Sequence, residues 1–318
     1  MKRFISVDDV SNLPRLIEKA RIVKKTPFAF KKLKKNKTVG LVFFNPSLRT
    51  RLSSQKAAFN LGANTWVLNI DHNSWKIEMN DGTVMENSQE HIKEAIAVMS
   101  LYCDILAVRT FPSLLDREHD YQEVLFNKIM HYSKVPLVSL ESATLHPLQS
   151  LADVMTIEEL RPTKKLIKVV LSWAPHVKAL PHSVPNSFAQ WASKLQGVDL
   201  VVAHPEGYDL DKRFTRGARI THDQAEAFEG ADFIYAKNWS SFIDYGKVLF
   251  HNTSWMITRE KMALTDRAKF MHCLPVRRNV VVEDAVLESE DSVVLQQAEN
   301  RVFAAQTVFM EILEHSTR

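Results

Sequence analysis

Glycine is scarce in this chain, with eight residues in 318. No G-x-G-x-x-G and no G-x-x-x-x-G-K-[ST] is present. Both motifs need glycine where the backbone closes on a phosphate, so a dinucleotide fold and a P-loop kinase are disfavoured. A G-x-S-x-G nucleophile elbow is missing too. Two cysteines, Cys103 and Cys273, can make neither a disulfide framework nor a zinc cluster of the usual spacing. The twelve histidines show no H-E-x-x-H or paired-ligand pattern, so no metal and no cofactor is expected. No apolar run approaches the ~18 residues of a membrane span, and MKRFISVDDVSNL has no long apolar segment behind its charges. Neither a span nor a secretion signal is visible, and a cytoplasmic location is the default expectation.

What is present is the composition of a soluble globular protein, 45% hydrophobic and 25% charged, in a chain long enough for two domains. Net charge is only +4, yet Lys24 to Lys37 (KKTPFAFKKLKKNK) concentrates lysines. The run lacks the aromatic interleaving or helical stripe of a nucleic-acid binder, so it reads as solvated surface, with no nucleic-acid and no membrane partner.

From Val39 to Leu61 an apolar run breaks at Asn45-Pro46 and passes at once into helical spacing, which reads as strand, sharp turn and helix. The turn delivers Ser47, Leu48, Arg49, Thr50 and Arg51 to the helix start. Free backbone N–H groups, the positive end of the helix dipole, two hydroxyls and two guanidinium forks suit a tetrahedral oxyanion such as phosphate. The plainer reading, Ser47 as N-cap and the arginines as a solvated face, stands beside it.

Three further β-rich runs, Asn64 to Ile70, Asp104 to Arg109 and Val135 to Leu140, alternate with helical patterns at Gln89 to Tyr102 and Tyr121 to Tyr132. That alternation predicts a parallel sheet covered on both faces. His146 to Leu160 is a helix with proline in its first turn, expected to join two domains. The rhythm then repeats: strands at Ile167 to Trp173, Val198 to His204, Asp232 to Ala236 and Lys269 to His272, helices at Asn186 to Leu195 and Thr221 to Phe228. Ala174 to Asn186 carries three prolines and reads as an irregular ligand-facing loop. The pattern from Gln296 to His315 is a last helix that can pack back on the first domain. The fold class is therefore α/β with two domains, residues 1–145 joined by the C-terminal helix 296–318, and residues 146–295. Strand-end groups, Arg109-Thr110, His146 to Gln149 and His272 to Pro275 with Arg277 behind, share the crevice side of such sheets.

Ser47-Leu48-Arg49-Thr50-Arg51, His146-Pro147-Leu148-Gln149 and His272-Cys273-Leu274-Pro275, in this order, resemble the three signature motifs of the aspartate/ornithine transcarbamylase family. The resemblance extends over essentially the whole chain. It implies carbamoyl phosphate bound by Ser47, Leu48, Arg49, Thr50, Arg109, His146, Pro147, Leu148 and Gln149, with Cys273, Leu274 and Arg301 nearby. It also implies a homotrimer in which Trp75 reaches into a neighbouring site. Attack of an amine on the carbamoyl carbon builds negative charge on the carbonyl oxygen and then on the departing phosphate. Arg49, Thr50, Arg109 and His146 would stabilise that charge as the catalytic groups, and no covalent nucleophile is needed.

Ornithine transcarbamylases bind the free α-amino acid through an Asp and a Ser-Met-Gly element. Here the Asp position is Lys237, and the element has become Ser240-Ser241-Phe242. An α-ammonium 4 Å from Lys237 would be repelled by about 4 kcal/mol at an effective dielectric near 20. The chain thus resembles the branch acting on N-acylated ornithine, which implies that Glu141, His176, Lys237 and Arg277 bind the acylornithine. Glu141 would orient the δ-amine. Acetyl-specific relatives place a glutamate before Glu90-His91, where this chain has the uncharged specificity residue Gln89. N-succinylornithine is therefore the expected substrate in arginine biosynthesis, and N-acetylornithine the alternative. The same branch threads its proline-rich loop through a second loop to form a knot in the second domain. From another class, a catalytically silent anion- or RNA-binding protein using the lysine run remains the rival reading.

Overall fold

The apolar run at the centre of the first half forms β1, Thr38–Phe43, almost wholly buried. Its Gly40 is required: a Cβ there would come within 2.3 Å of the Trp66 ring. After β1 come α2, Leu48–Leu61, and β2, Asn64–Asn69. Gly62 ends α2 with φ +75°, the left-handed C-cap conformation that glycine adopts without a Cβ clash. The structure, a computed structural model, describes residues 1–31, 35–70, 75–249 and 253–315. Part of the lysine run, 32–34, and the last three residues of the expected 296–318 segment lie outside the described residues. Among the described lysines of that run, Lys25, Lys31 and Lys35 are exposed and Lys37 pairs with Asp104 at 2.8 Å.

The chain divides into two compact units. The first comprises Met1–Ser113, Glu118–Leu148 and Arg301–Arg318; the second comprises Leu114–Arg117 and Gln149–Asn300. In the first, α1 (Leu13–Lys25) precedes β1; β3 (Ile77–Glu78), β4 (Glu90–His91), α3 (Ile92–Leu101), β5 (Ile105–Arg109), α4 (Arg117–Tyr121), α5 (Val124–Tyr132) and β6 (Leu137–Glu141) follow β2. Its main sheet is parallel, in the order β2-β1-β5-β6. On the outer side of β6, Phe4 N–H donates to the Leu137 carbonyl and the Phe4 carbonyl accepts from Ser139 N–H, at 2.9 and 2.8 Å.

The second unit holds a parallel sheet in the order β11-β10-β7-β8-β9. Its strands are β7 (Ile167–Trp173), β8 (Val198–Ala203), β9 (Arg219–Thr221), β10 (Phe233–Lys237) and β11 (Lys269–Met271). Helices α7 (Ser183–Ala192), α8 (Gln224–Phe228), α9 (Arg259–Met262) and α10 (Asp284–Leu287) connect them. Helices α6 (Pro147–Leu160) and α11 (Val294–His315) each contribute residues to both units. In each sheet the chain first proceeds to one side of a central strand, β1 or β7, and then to the other. That reversal creates a switch point at the C-terminal ends of β1 and β5 and of β7 and β10.

Four expectations need correction. The helix expected from Gln89 starts only at Ile92, because His91 is its N-cap, with extended backbone and Nδ1 accepting from Lys93 N–H. Gln89 therefore lies in the bend immediately before β4. The single helix over Tyr121 to Tyr132 is two, separated by Glu123 at φ +53°. The proline-rich loop ends at His182, since Ser183 already begins α7. Pro185 sits in its first turn, where a missing N–H costs nothing. Thr221 closes a short, largely exposed strand that sequence reading missed, and Asp223 caps α8 by accepting from Ala225 and Glu226 N–H.

Candidate active site

In the first unit Ser47 is the N-cap of α2, with its hydroxyl 3.0 Å from Thr50 Oγ1 and 3.4 Å from Thr50 N–H. Thr50 is buried, and Arg301 Nη2 donates to its Oγ1 at 2.6 Å. Leu48 is exposed and Arg49 half-buried. Arg51 donates to Asn69 Oδ1 and lies over the Phe43 ring. The anion motif thus sits at a helix N-terminus beside the switch point of its sheet, with the guanidinium of α11 brought to it.

At the ends of β5 and β6, Arg109 Nη1 donates to Glu141 Oε2, and both residues are buried. His146, the residue before α6, places Nε2 3.7 Å from the same carboxylate oxygen. Burial, reinforced by Arg301 and Arg109, holds His146 well below its usual pKa of 6.5, so its imidazole is neutral at pH 7. Three buried polar atoms here, Arg109 Nε, Thr110 Oγ1 and His146 Nδ1, have no hydrogen-bond partner among the described residues. Orphaned buried groups gathered at strand ends suit a polar ligand that completes them.

In the second unit Lys237, the last residue of β10, is buried, and its Nζ donates to the Asn238 carbonyl at 3.2 Å. His176, just beyond β7, accepts at Nε2 from Arg277 Nε at 3.1 Å, and its Nδ1 lies against the Lys178 backbone, 2.9 Å from the carbonyl oxygen and 3.1 Å from the amide nitrogen. Burial lowers the pKa of His176, and Lys237, Arg277 and Lys178 add to that effect. The neutral ring is bracketed by cations, and the patch suits carboxylates. Asn238 Nδ2 donates to the Ala174 carbonyl, Ser240 N–H to the Leu180 carbonyl, and His182 Nε2 to the Ser240 carbonyl at 2.7 Å. These bonds fasten the proline-rich loop to the segment after Lys237.

Gln149 donates to buried Asp153 at 2.7 Å, one helical turn on, and Gln297 donates to the same Oδ1. The side-chain oxygen Oε1 of Gln297 in turn accepts from His272 N–H at 2.9 Å. Cys273 and Leu274 follow; Leu274 has φ +53°, precedes a cis peptide to Pro275, and its N–H donates to His272 Nδ1. Burial pushes the Tyr235 hydroxyl pKa well up, and Asp153 and Cys273 add to the rise. Pro147 and Leu148 open α6.

The structure therefore gathers Ser47, Thr50 and Arg301 by direct bonds, joins Arg109 to Glu141 by another, and sets His146 3.7 Å from that same Glu141 carboxylate. It places His176 and Arg277 in contact near Lys237. Glu141, read from sequence with the acylornithine set, lies against Arg109 and His146. Trp75 is 45% exposed and donates from Nε1 to Glu90 at 2.9 Å. Gln89 accepts at its side-chain carbonyl from Lys76 N–H at 2.9 Å, while its own N–H donates to the Lys76 carbonyl. Asp153, Gln297 and His182 escaped the sequence reading; only the i, i+4 spacing of Gln149 and Asp153 on one helix face signalled any of them. Among the described residues no group of three or more His, Cys, Asp or Glu is set to hold a metal, and no helix is long and apolar enough to cross a membrane.

Residues 2–159 match the model of the aspartate/ornithine carbamoyltransferase carbamoyl-P binding domain, and residues 181–312 that of the Asp/Orn binding domain. Among known proteins, the chain is 48% identical to N-succinylornithine carbamoyltransferase of Bacteroides fragilis, over 99% of each chain. It is 37% identical to N-acetylornithine carbamoyltransferase of Xylella fastidiosa, over 97% of each. A crystal structure of acetylornithine transcarbamylase complexed with acetylcitrulline superposes with a TM-score of 0.91 at 34% identity, covering 98% of this chain and 99% of that one. A variant of N-acetyl-L-ornithine transcarbamylase with one glutamate replaced by alanine, complexed with carbamyl phosphate and N-succinyl-L-norvaline, also gives 0.91, at 34% identity and with 98% and 100% covered.

Proposed function

We propose, for a chain that belongs to the aspartate/ornithine carbamoyltransferase family and is a carbamoyltransferase, that it acts on N-succinyl-L-ornithine. The carbamoyl group of carbamoyl phosphate passes to the δ-amine, giving N-succinyl-L-citrulline and phosphate, a step of arginine biosynthesis in the cytoplasm. The observation that carries this reading is the buried Lys237 at the end of β10, with Arg277 and His176 close by. A cation there opposes a free α-ammonium and favours an acylated substrate with only carboxylates to present.

In this reading Ser47, Leu48, Arg49, Thr50 and Arg301 hold the phosphate at the N-terminus of α2. Arg109 and neutral His146 face the carbonyl oxygen on which charge develops, and the Pro147 to Gln149 turn with the Cys273 and Leu274 backbone completes the carbamoyl site. A neutral imidazole stabilises an oxyanion by donating a hydrogen bond, without first surrendering a charge. Glu141 orients the δ-amine. His176, Lys237 and Arg277 take the carboxylates, and Trp75 serves a neighbouring copy in a homotrimer.

For the acyl group, the 48% relatives named for succinylornithine and the uncharged Gln89 favour succinyl. The acetyl-named enzyme carrying the glutamate-to-alanine replacement, in complex with a succinyl compound, supports the same view. Acetylornithine is the second reading, favoured by the acetylcitrulline-bound fold relative. Phosphate release by the purified protein from carbamoyl phosphate with succinyl-, acetyl- or free ornithine tests both. Preference for acetylornithine selects the second reading, and inactivity with every amine returns the chain to a binding role.

A further inference from the structure

Glu123 breaks what the sequence would otherwise run as one helix. It adopts φ +53° and ψ +40°, a left-handed backbone that costs a non-glycine residue roughly 1–2 kcal/mol. As N-cap of α5 it makes no side-chain cap bond. Its carboxylate turns instead to the turn after β6: it accepts from Ser142 Oγ at 2.5 Å, Ala143 N–H at 3.1 Å, and Thr144 N–H and Oγ1 at 2.8 and 2.5 Å. Those three residues are buried. The turn is closed on itself as well, with Ser142 N–H donating to the Leu145 carbonyl and Leu145 N–H to Ser142 Oγ. Glu141 stands immediately before the turn and His146 immediately after it.

We propose that Glu123 is a positioning residue for the active site: its carboxylate, by gripping Ser142, Ala143 and Thr144, fixes Glu141 and His146 at the two ends of one short turn. Strain at a residue whose neighbours would readily continue a helix is paid back by four tertiary hydrogen bonds, all directed at that turn. Its release would let His146 move from Glu141 and admit water around the imidazole. The charged groups facing His146 are Glu141 at 3.7 Å, with Arg109 and Arg301 behind. This inference rests on the part given above to His146 in carbamoyl transfer. A shift of about 1 Å in such a group costs on the order of 10²-fold in rate.

The test compares Glu123→Ala and Glu123→Gln with the wild type. Glutamine keeps one carbonyl oxygen for the Ser142 and Thr144 donors and loses only the acceptor for Ala143 N–H. For Glu123→Ala the expected result is a 10- to 100-fold fall in kcat with acylornithine KM within about 3-fold, an acid limb of the pH–rate profile moved toward neutrality, and substantial rescue in Glu123→Gln. NMR titration of the His146 ring in the unliganded protein should show its pKa rising in Glu123→Ala. Wild-type kcat with an unmoved His146 titration in folded Glu123→Ala overturns the proposal. Should that variant not fold, Thr144→Val, which deletes one of the four bonds, is expected to shift the His146 titration in the same direction, and no shift overturns it. The titration needs no substrate, so it separates this inference from the substrate reading, which fails instead if wild type turns over no acylornithine.

Discussion

Arg301 Nη2 donates to Thr50 Oγ1 at 2.6 Å across 251 residues of sequence. The Ser47 hydroxyl lies 3.0 Å from the same oxygen. With two donors aimed at its lone pairs, the Thr50 hydroxyl keeps its own proton to offer outward. The last helix thereby sets the direction of a hydrogen bond in the first anion motif.

Arg301→Ala should lower kcat/KM for carbamoyl phosphate by about 10- to 100-fold, the range of a charge-assisted hydrogen bond. Thr50→Val should do much the same, and the double variant should lose little more than either alone, because the two act as one unit. Steady-state kinetics at varied carbamoyl phosphate measure this; fully additive losses would show that the two residues act independently.

Arg49→Ala is expected to collapse carbamoyl phosphate affinity and rate together, by about 100-fold or more in kcat/KM. Calorimetric titration with a phosphonate mimic of the donor checks the affinity half, and unchanged binding removes Arg49 from the site.

Lys237→Asp should abolish most acylornithine turnover, with kcat/KM down on the order of 10²- to 10³-fold, while carbamoyl phosphate binding survives. Retained activity on N-succinylornithine would mean that the charge at this position selects nothing.

Gln89→Glu should turn preference from succinyl toward acetyl. The side-chain carbonyl of Gln89 already accepts from Lys76 N–H, so a carboxylate can keep that bond while setting a negative charge where the amide NH₂ stands. The ratio of kcat/KM for the two acylornithines reads the change, and an unaltered ratio counts against Gln89 as the specificity residue.

Burial pushes His182 down to a pKa of about 4, against an ordinary 6.5. Its contribution to stability is fully present above pH 6.5 and is lost as pH falls through that window, at ~1.4 kcal/mol per pH unit and about 3 kcal/mol in all. His182→Gln can still donate to the Ser240 carbonyl and cannot titrate, so melting temperatures recorded from pH 7 to 4 should fall less steeply. Equal slopes would place the acid sensitivity elsewhere, with His146, which shifts in the same sense, the next residue to replace.

Much of this molecule is legible in its sequence because the signals are local and periodic. The strand, turn and helix around Ser47 and the alternation behind both sheets follow from apolar spacing and from Asn45-Pro46. The hydrogen bonds that make a site of these pieces are not local. Arg301 to Thr50, Arg109 to Glu141 and Glu123 to Thr144 join residues that no window of sequence contains. Glu123 shows the limit: its neighbours favour one continuous helix, and only the distant turn it binds explains the break. His91 errs the other way: it caps α3 through its ring nitrogen although histidine is not a usual N-cap residue, so a periodicity count absorbs it into the helix it begins.

Phe4 completes the open flank of β6 through two backbone hydrogen bonds. Without the opening residues, the strand that ends in Glu141 would present bare amides and carbonyls, a template on which another chain can polymerise. Phe4 thus occupies the donor and acceptor positions at Leu137 and Ser139 that a second chain would need for edge-to-edge pairing.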